Sequence, residues 1–244
     1  MLNKDAPIAV YDSGDGALAV LATLRRIFPQ ERWLLVQDRA HAPYGEKSAQ
    51  QVFQLGYQTM ERIAMHGVKA CVVACHTSSS VILPELQYRF SFPIIGMLLP
   101  SAAGLACYYP QATIACLATP GSIHQNRLLP LARSLGFNGE WLAIACPDWA
   151  SCVDRRVGVS ASRRAVARVL APYRERLVAQ QAVLFYGCTH YPWLDAVVAE
   201  YLALSRVDPS WWVAQRLGAT LRAYGVLKSV DMPRDNEHLL SYFT

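Results

Sequence analysis

The sequence lacks an apolar run long enough to cross a membrane. A membrane-spanning helix needs about 20 mostly apolar residues. The apolar stretch at residues 92–107 is interrupted by Pro93, Gly96, Pro100 and Gly104. The first residues also lack the apolar core and the small-residue cleavage site of a signal peptide. We therefore expect a cytoplasmic protein with no membrane association.

Charge of one sign is neither abundant nor concentrated. The 244 residues include 23 Lys and Arg and 18 Asp and Glu, which gives a net charge of +5. The densest group of arginines lies within residues 155–168 and is interpreted as the solvated face of a helix. No nucleic-acid partner is expected from this pattern. The mild positive charge favours an anionic substrate.

The motifs that bind common cofactors are also missing. The sequence has no P-loop and no lysine in a context typical of pyridoxal phosphate. Residues 12–17 contain Gly-x-Gly after an apolar run, but the third glycine of the dinucleotide fingerprint is absent. These glycines and the helix that follows are suited to holding a carboxylate. We expect no cofactor.

The cysteines indicate free thiols. There are seven, an odd number, and they follow no spaced framework, so disulfides are not expected. Five are assigned mostly to packing, because free cysteine is among the most buried residue types. These five are Cys71, Cys107, Cys116, Cys146 and Cys152. The other two are Cys75 and Cys188, which lie in a distinctive context.

Apolar runs of strand length alternate with amphipathic segments of helix length. The predicted strands are residues 8–11, 33–36, 70–74, 94–96, 113–117, 141–145, 183–186 and 205–207. The predicted helices are residues 18–27, 48–66, 159–179 and 194–204. This alternation is typical of parallel sheets with right-handed crossovers. We predict two pseudo-symmetric parallel-sheet α/β domains, residues 1–97 plus 208–244 and residues 98–207, with the active site in the cleft between them.

Two segments that are distant in the chain share the same residue types around a cysteine. Each is an apolar run that ends at a cysteine, Cys75 or Cys188, followed within two residues by Thr and His. Ligands of open parallel sheets bind beyond the carboxyl ends of the strands. We therefore expect both thiols to face one small substrate. Two acid/base groups on opposite faces of a carbon acid can remove a proton from one side and return one to the other. Such a pair would invert a stereocentre without a cofactor.

Five motifs in order resemble those of the glutamate racemases, members of the cofactor-independent aspartate/glutamate racemase superfamily. They are DSGDG at 12–16, DRAHAPYGEKS at 38–48, ACHTSS at 74–79, LATPGS at 117–122 and GCTHYP at 187–192. The resemblance spans nearly the whole chain. It implies a homodimeric isomerase that makes D-glutamate for bacterial peptidoglycan, and hence for cell-wall biogenesis and cell shape. It implies no metal and no cofactor.

The resemblance also implies roles for individual residues. Cys75 would take the proton from the D enantiomer and Cys188 from the L enantiomer. Asp12, His190 and Asp154 would assist or tune these thiols. The substrate-binding residues would be Ser13, Pro43, Tyr44, Gly45, His76, Thr77, Thr119 and Thr189.

The chain departs from the family pattern at three positions. Ala17 replaces a glycine in the first motif, and Asp154 replaces a longer glutamate. The third departure is His76, where the family has an asparagine next to the first thiol. An imidazole is larger than an amide and can be cationic. It could lower the pKa of Cys75 or alter the substrate cavity.

Two other hypotheses stay open. One is a different carbon-acid reaction on the same scaffold, such as racemisation of another small amino acid. The other is a non-enzyme, either a catalytically weak regulatory homologue or a zinc protein. The ligand types for zinc are present in Cys75, His76, Cys188 and His190, but their spacing differs from that of structural zinc sites.

Overall fold

In the part of the chain that the structure describes, nine parallel strands form two separate sheets. The computed structural model describes residues 2–229 and, for the backbone, residues 239–243. The strands are β1 (Ile8–Asp12), β2 (Trp33–Gln37), β3 (Ala70–Val73), β4 (Ile94–Gly96), β5 (Ile114–Ala118), β6 (Trp141–Ala145), β7 (Val183–Tyr186), β8 (Arg206–Val207) and β9 (Leu239–Phe243). The first sheet has the order β4-β3-β1-β2-β9 and the second β6-β5-β7-β8. The predicted architecture of two parallel-sheet α/β domains is confirmed.

Helices connect the strands, as parallel pairing requires. They are α1 (Gly16–Ile27), α2 (Ala49–Met65), α3 (His76–Leu86), α4 (Leu98–Tyr108), α5 (Pro120–Gln125), α6 (Leu128–Ser134), α7 (Trp149–Asp154), α8 (Val159–Leu170), α9 (Arg174–Ala179), α10 (Asp195–Tyr201) and α11 (Ser210–Ala223). Short 3₁₀ turns lie at Arg39–His41, Tyr44–Glu46, Ala171–Tyr173 and Tyr191–Leu194.

The central strands of each sheet are buried on both faces, since their successive residues point to opposite sides and all are buried. In β1, Val10 packs with α1 and α11, whereas Tyr11 packs with α2 and α3. In the second sheet, Leu184 of β7 packs with α7, α8 and α10. Its neighbour Phe185 packs with α4 and α6. Two layers of helices around each sheet explain why the strands are continuous apolar runs in the sequence.

The predicted elements agree closely with the structure, with one exception. The predicted strands 94–96, 141–145 and 183–186 have the same limits in the structure. The single helix predicted for residues 159–179 is wrong, because α8 ends at Leu170 and a 3₁₀ turn precedes α9. Pro172 lies in that turn and has no N–H to donate to a continuous helix. The arginines of the basic group are exposed, as expected.

The path of the chain between the sheets supports the proposed domain limits. Helix α4 packs mainly against α6 of the second sheet, and α11 returns to pack against α1 of the first. The limits 1–97 plus 208–244 and 98–207 remain a proposal, and residues 1, 230–238 and 244 lie outside the described residues.

All seven cysteines are free thiols. Cys71, Cys116 and Cys146 are buried as expected, and Cys152 is partly buried. The packing expectation is wrong for Cys107, which is exposed on α4 because that helix turns Ala102 and Leu105 to the core instead. Within residues 2–229, no helix is both long and apolar enough to span a bilayer.

Candidate active site

The carboxyl ends of strands from both sheets meet at one cavity of about 300 Å³. Residues that directly follow β1, β5 and β7, and the segment just beyond β3, supply most of its walls. The lining consists of Ser13, Pro43, Tyr44, Gly45, Cys75, His76, Thr77, Thr119, Ala150, Cys188, Thr189 and His190. All of these except Ala150 are predicted site residues. The two other predicted residues, Asp12 and Asp154, lie behind the lining and hydrogen-bond to it.

Cys75 is held at the first turn of α3. Its Sγ accepts a hydrogen bond from the Ser78 N–H at 3.4 Å and lies 3.7 Å from the Ser13 hydroxyl. Burial raises the pKa of Cys75 to about 11, and the nearby Asp12 carboxyl acts in the same direction. The N–H of Ser78 opposes this shift. Cys75 is therefore a protonated thiol in the unliganded site.

Asp12 connects the surroundings of the two thiols. Its Oδ1 accepts a hydrogen bond from the Gly14 N–H at 3.0 Å, and its Oδ2 accepts one from the Thr189 hydroxyl at 2.8 Å. Burial raises the pKa of Asp12 above its usual range, although His190 and these hydrogen bonds act against the shift. The carboxyl lies at the end of β1 and fixes the residue that follows Cys188.

Cys188 has a cationic neighbour. His190 Nδ1 lies 3.7 Å from Cys188 Sγ, and its Nε2 lies 2.9 Å from Asp154 Oδ1. Burial opposes a charge on the imidazole, but Asp154 and Cys188 outweigh it and raise the pKa of His190 well above its usual value. Burial likewise opposes the charge of Asp154, but the contacts with His190 keep the pKa of that carboxyl below its usual value. An imidazolium–carboxylate pair thus lies beside this thiol.

A band of hydroxyl groups crosses from one sheet to the other at the cavity. Thr77 Oγ1, which follows β3, lies 3.3 Å from Thr119 Oγ1 and 3.1 Å from Ser122 Oγ. Both partners follow β5. Ser122 is not among the site residues predicted from the sequence, although it lies within the LATPGS motif. These hydroxyls can accept from an ammonium group and donate to a carboxylate.

Tyr44 is fixed by a buried polar chain. Its hydroxyl donates to Asp38 Oδ2 at 2.5 Å and accepts from the Tyr11 hydroxyl at 3.3 Å. Sequence analysis assigned no role to Asp38 or Tyr11. The position of Asp38 at the end of a strand is the signal that could have identified it. These hydrogen bonds orient the 3₁₀ turn that carries Tyr44 and Gly45 against the cavity.

His76 is buried and has no hydrogen-bond partner among the described residues at either ring nitrogen. Its ring packs edge-on against Phe185, with 6.3 Å between the ring centroids. Burial lowers the pKa of His76 to about 3, so the imidazole is neutral. The expectation that a cationic His76 could lower the pKa of Cys75 is therefore wrong. A buried polar group without a partner costs about 1–3 kcal/mol of stability.

The two cysteine segments differ in their local structure. A helix begins directly after Cys75. After Cys188, by contrast, a turn and the 3₁₀ segment Tyr191–Leu194 precede α10. Tyr191 is anchored there by donating its hydroxyl to the carbonyl of Cys146 at 3.1 Å.

Metal ligation has no geometric support in the described part of the chain. No three side chains of His, Cys, Asp or Glu are grouped there so that they could hold a metal ion. His190, one of the possible zinc ligands in the sequence, makes its contacts with Asp154 and Cys188.

Comparison with known proteins identifies the class of enzyme that this fold and site define. The profile of the Asp/Glu/Hydantoin racemase family matches residues 18–217. The chain belongs to this family, and it is an amino-acid racemase, an isomerase. The resemblance carried by the five motifs is thereby confirmed.

Individual relatives agree with this assignment. The chain is 33% identical to the glutamate racemase of Methylococcus capsulatus over 230 residues, which cover 93% of this chain and 83% of the relative. The structure of a glutamate racemase isoform from Bacillus anthracis has a TM-score of 0.85 and 28% identity, and covers 99% of this chain and 88% of its own. A glutamate racemase from Francisella tularensis in complex with D-glutamate has a TM-score of 0.86 and 26% identity, and covers 99% of this chain and 89% of its own.

Proposed function

We propose that this protein interconverts L- and D-glutamate with two thiols and without a cofactor. One observation carries the proposal: Cys75 and Cys188, from strands of two different sheets, line the same small cavity. The glutamate racemases among its relatives supply the substrate, and one of them is described in complex with D-glutamate.

The surroundings of the thiols support a direction for each proton. With L-glutamate bound, Cys188 acts as the thiolate, and the imidazolium of His190 stabilises it. Cys188 takes the α-proton, and the carbanion then accepts the proton of the Cys75 thiol on its other face. The product is D-glutamate, with a thiol at Cys188 and a thiolate at Cys75. The reverse reaction uses the same groups in the opposite order.

The cavity supports binding of an amino acid by neutral donors. Among the described residues that line it there is no Lys or Arg. The substrate carboxylates are held by hydroxyls of Ser13, Thr77 and Thr119 and by the backbone N–H groups near Gly45. The Thr189 hydroxyl, which donates to Asp12, accepts from the substrate ammonium group. Because these donors are fixed by the fold, they are preorganised for the negative charge that develops in the carbanion.

The cellular role follows from the same proposal. D-glutamate made by this enzyme in the cytoplasm is used for peptidoglycan, and loss of the enzyme affects the cell wall and cell shape. The active form is a homodimer. The family resemblance supports each of these points, and sedimentation analysis of the purified protein tests the last.

Isotope exchange tests the proposal directly. In D₂O the wild type should catalyse the incorporation of deuterium at the α-carbon of both glutamate enantiomers. The optical rotation of the glutamate solution should fall to zero. Cys75→Ala and Cys188→Ala should each reduce racemisation by about 10³-fold or more, since each removes an acid/base group that acts in every turnover. Cys107→Ala, which removes an exposed thiol, is the matched control and should retain full activity. Absence of exchange in the wild type, or full activity of Cys75→Ala, would overturn the proposal.

A second candidate, racemisation of another small amino acid, is favoured by His76. The imidazole fills part of the cavity where the family has a smaller asparagine. The rates of α-deuterium exchange with aspartate, alanine, serine and glutamate show which amino acid is the preferred substrate. Faster exchange with any of these than with glutamate would favour the second candidate.

A further inference from the structure

A second, small cavity lies directly beside the candidate active site and is partly open to solvent. Among the described residues, His76 is the only one that lines both cavities. The two cavities are neighbours along the chain as well. Ala118 and Gly187 line the second cavity, and the next residues, Thr119 and Cys188, line the first.

The second cavity is mostly apolar. Its walls come from strands β5 and β6 of the second sheet and from helices α3, α4, α5 and α6. Leu98, Ile123, Leu128 and Trp141 supply much of the apolar surface. Arg127 and Asn126, which are exposed, lie at its outer part, and neither belongs to the substrate cavity.

The imidazole that separates the two spaces is held by packing alone. Neither of its ring nitrogens has a hydrogen-bond partner among residues 2–229. The ring packs edge-on against Phe185. A wall of this kind excludes ligand atoms by its volume.

We propose that His76 is the partition that limits the length of the substrate side chain, and that the cavity behind it has the position to receive the end of a longer one. The proposal rests on the assignment of the first cavity to an amino-acid substrate. A shorter residue at position 76 joins the two spaces into one. The joined space suits amino acids whose side chains extend beyond that of glutamate.

The test compares glutamate with 2-aminoadipate, which has one more methylene and the same charge. The ratio of kcat/KM for α-deuterium exchange, aminoadipate over glutamate, is measured for the wild type, His76→Ala and His76→Asn. The ratio of kcat/KM values should rise at least about 10-fold in His76→Ala. Enzymes discriminate between substrates that differ by one methylene by a factor of this size. His76→Asn should give an intermediate rise.

A variant that fills the second cavity supplies the matched control. Ala143 lines the second cavity and not the first, so Ala143→Leu reduces the space behind the partition without touching the substrate site. This change alone should leave the ratio at the wild-type value. Combined with His76→Ala, it should return the ratio towards that value.

The possible failures of the two proposals can be told apart. If the wild type exchanges glutamate and the ratio is unchanged in both His76 variants, the partition proposal is wrong while the proposed function stands. If the wild type exchanges no amino acid, the proposed function is wrong. For a variant that folds but does not turn over, calorimetry measures the affinity for 2-aminoadipate relative to glutamate instead. If that relative affinity equals the wild-type value, the partition proposal is also wrong.

Discussion

The two thiols have unequal electrostatic surroundings. Cys188 lies 3.7 Å from the imidazole of His190, which Asp154 holds in its charged form. Cys75 has close polar contacts with Ser13 and Ser78, and the Asp12 carboxyl disfavours its thiolate. This difference fits the proposed order of proton transfers, in which Cys188 takes the proton of the L enantiomer and the Cys75 thiol supplies one on the other face.

This inequality leads to a pH-dependent prediction for Asp154→Asn. The variant keeps an oxygen for the Asp15 N–H but removes the charge that raises the pKa of His190. The imidazolium is present below that pKa and is lost as the pH rises through it. When the pKa falls, the alkaline limb of the kcat/KM profile for L-glutamate should move to lower pH by about 1–3 units. Exchange rates across the pH range measure the limb.

Glu200→Gln is the control for this experiment. Glu200 pairs with Arg163 on the surface, so its charge is removed far from the thiols. Its alkaline limb should coincide with that of the wild type. An unmoved limb in Asp154→Asn would mean that the protonation state of His190 does not govern proton transfer from L-glutamate.

At the residue scale, the sequence predicts where the site residues lie better than it predicts their protonation states. Cys75 and Cys188 could be placed together because each ends an apolar run, and the ends of parallel strands meet at one edge. The neutral state of His76 could not be predicted, because it depends on burial against Phe185 from the other sheet. The site roles assigned by resemblance remain predictions for mutagenesis.

At the scale of elements, a buried ion pair ties β3 to two distant segments. Lys69, just before β3, lies 2.6 Å from Glu31, and both side chains are inaccessible to solvent. The Lys69 ammonium also donates to the carbonyls of Lys4 and Val226. The chain that returns after α11 is thereby fixed to the start of the first sheet.

Lys69→Met should therefore lower the free energy of unfolding substantially. The variant leaves the carboxylate of Glu31 buried without its partner, which costs about 3–5 kcal/mol in known cases. Urea unfolding of the two proteins measures the difference. Adding Glu31→Leu should restore much of the loss, because the remaining charge is then removed.

The exposed pair Arg163–Glu200 provides the comparison. Arg163→Met should leave the unfolding midpoint nearly unchanged, since surface ion pairs contribute little. If Lys69→Met were equally mild, water would have to reach Glu31 in the variant, and the proposed tie between these segments would carry little stability.

Short apolar strands could be predicted, whereas the helix in the segment rich in Pro and Gly could not. The strands β4, β6 and β7 have the limits that the sequence predicts. Helix α4 was not predicted, because Pro100 and Gly104 in residues 92–107 are typical of a boundary between domains. Tertiary packing decides its structure: Ala102 and Leu105 are buried against the second sheet, which outweighs the weak helix propensity of the segment.

At the scale of the whole molecule, the two sheets approach each other closely around the cavity. Gly45 lies in the 3₁₀ turn after β2. A Cβ at Gly45 would lie 2.6 Å from the Cβ of Thr119, which follows β5 of the second sheet. Next to it, a Cβ at Gly121 would lie 2.6 Å from the Gly45 carbonyl oxygen. Two glycines facing each other allow both walls of the site to meet.

Gly121→Ala should therefore reduce catalysis with little effect on folding. Because the added methyl group meets backbone, the 3₁₀ turn must move away from α5, and the groups near Gly45 lose their position. We expect kcat/KM for glutamate to fall about 10- to 100-fold, as small displacements in preorganised sites do. Gly158→Ala is the matched control, since no atom lies within 4 Å of a Cβ at that glycine. Equal activity of the two variants would show that the walls can separate without cost, and that substrate binding does not depend on their close approach.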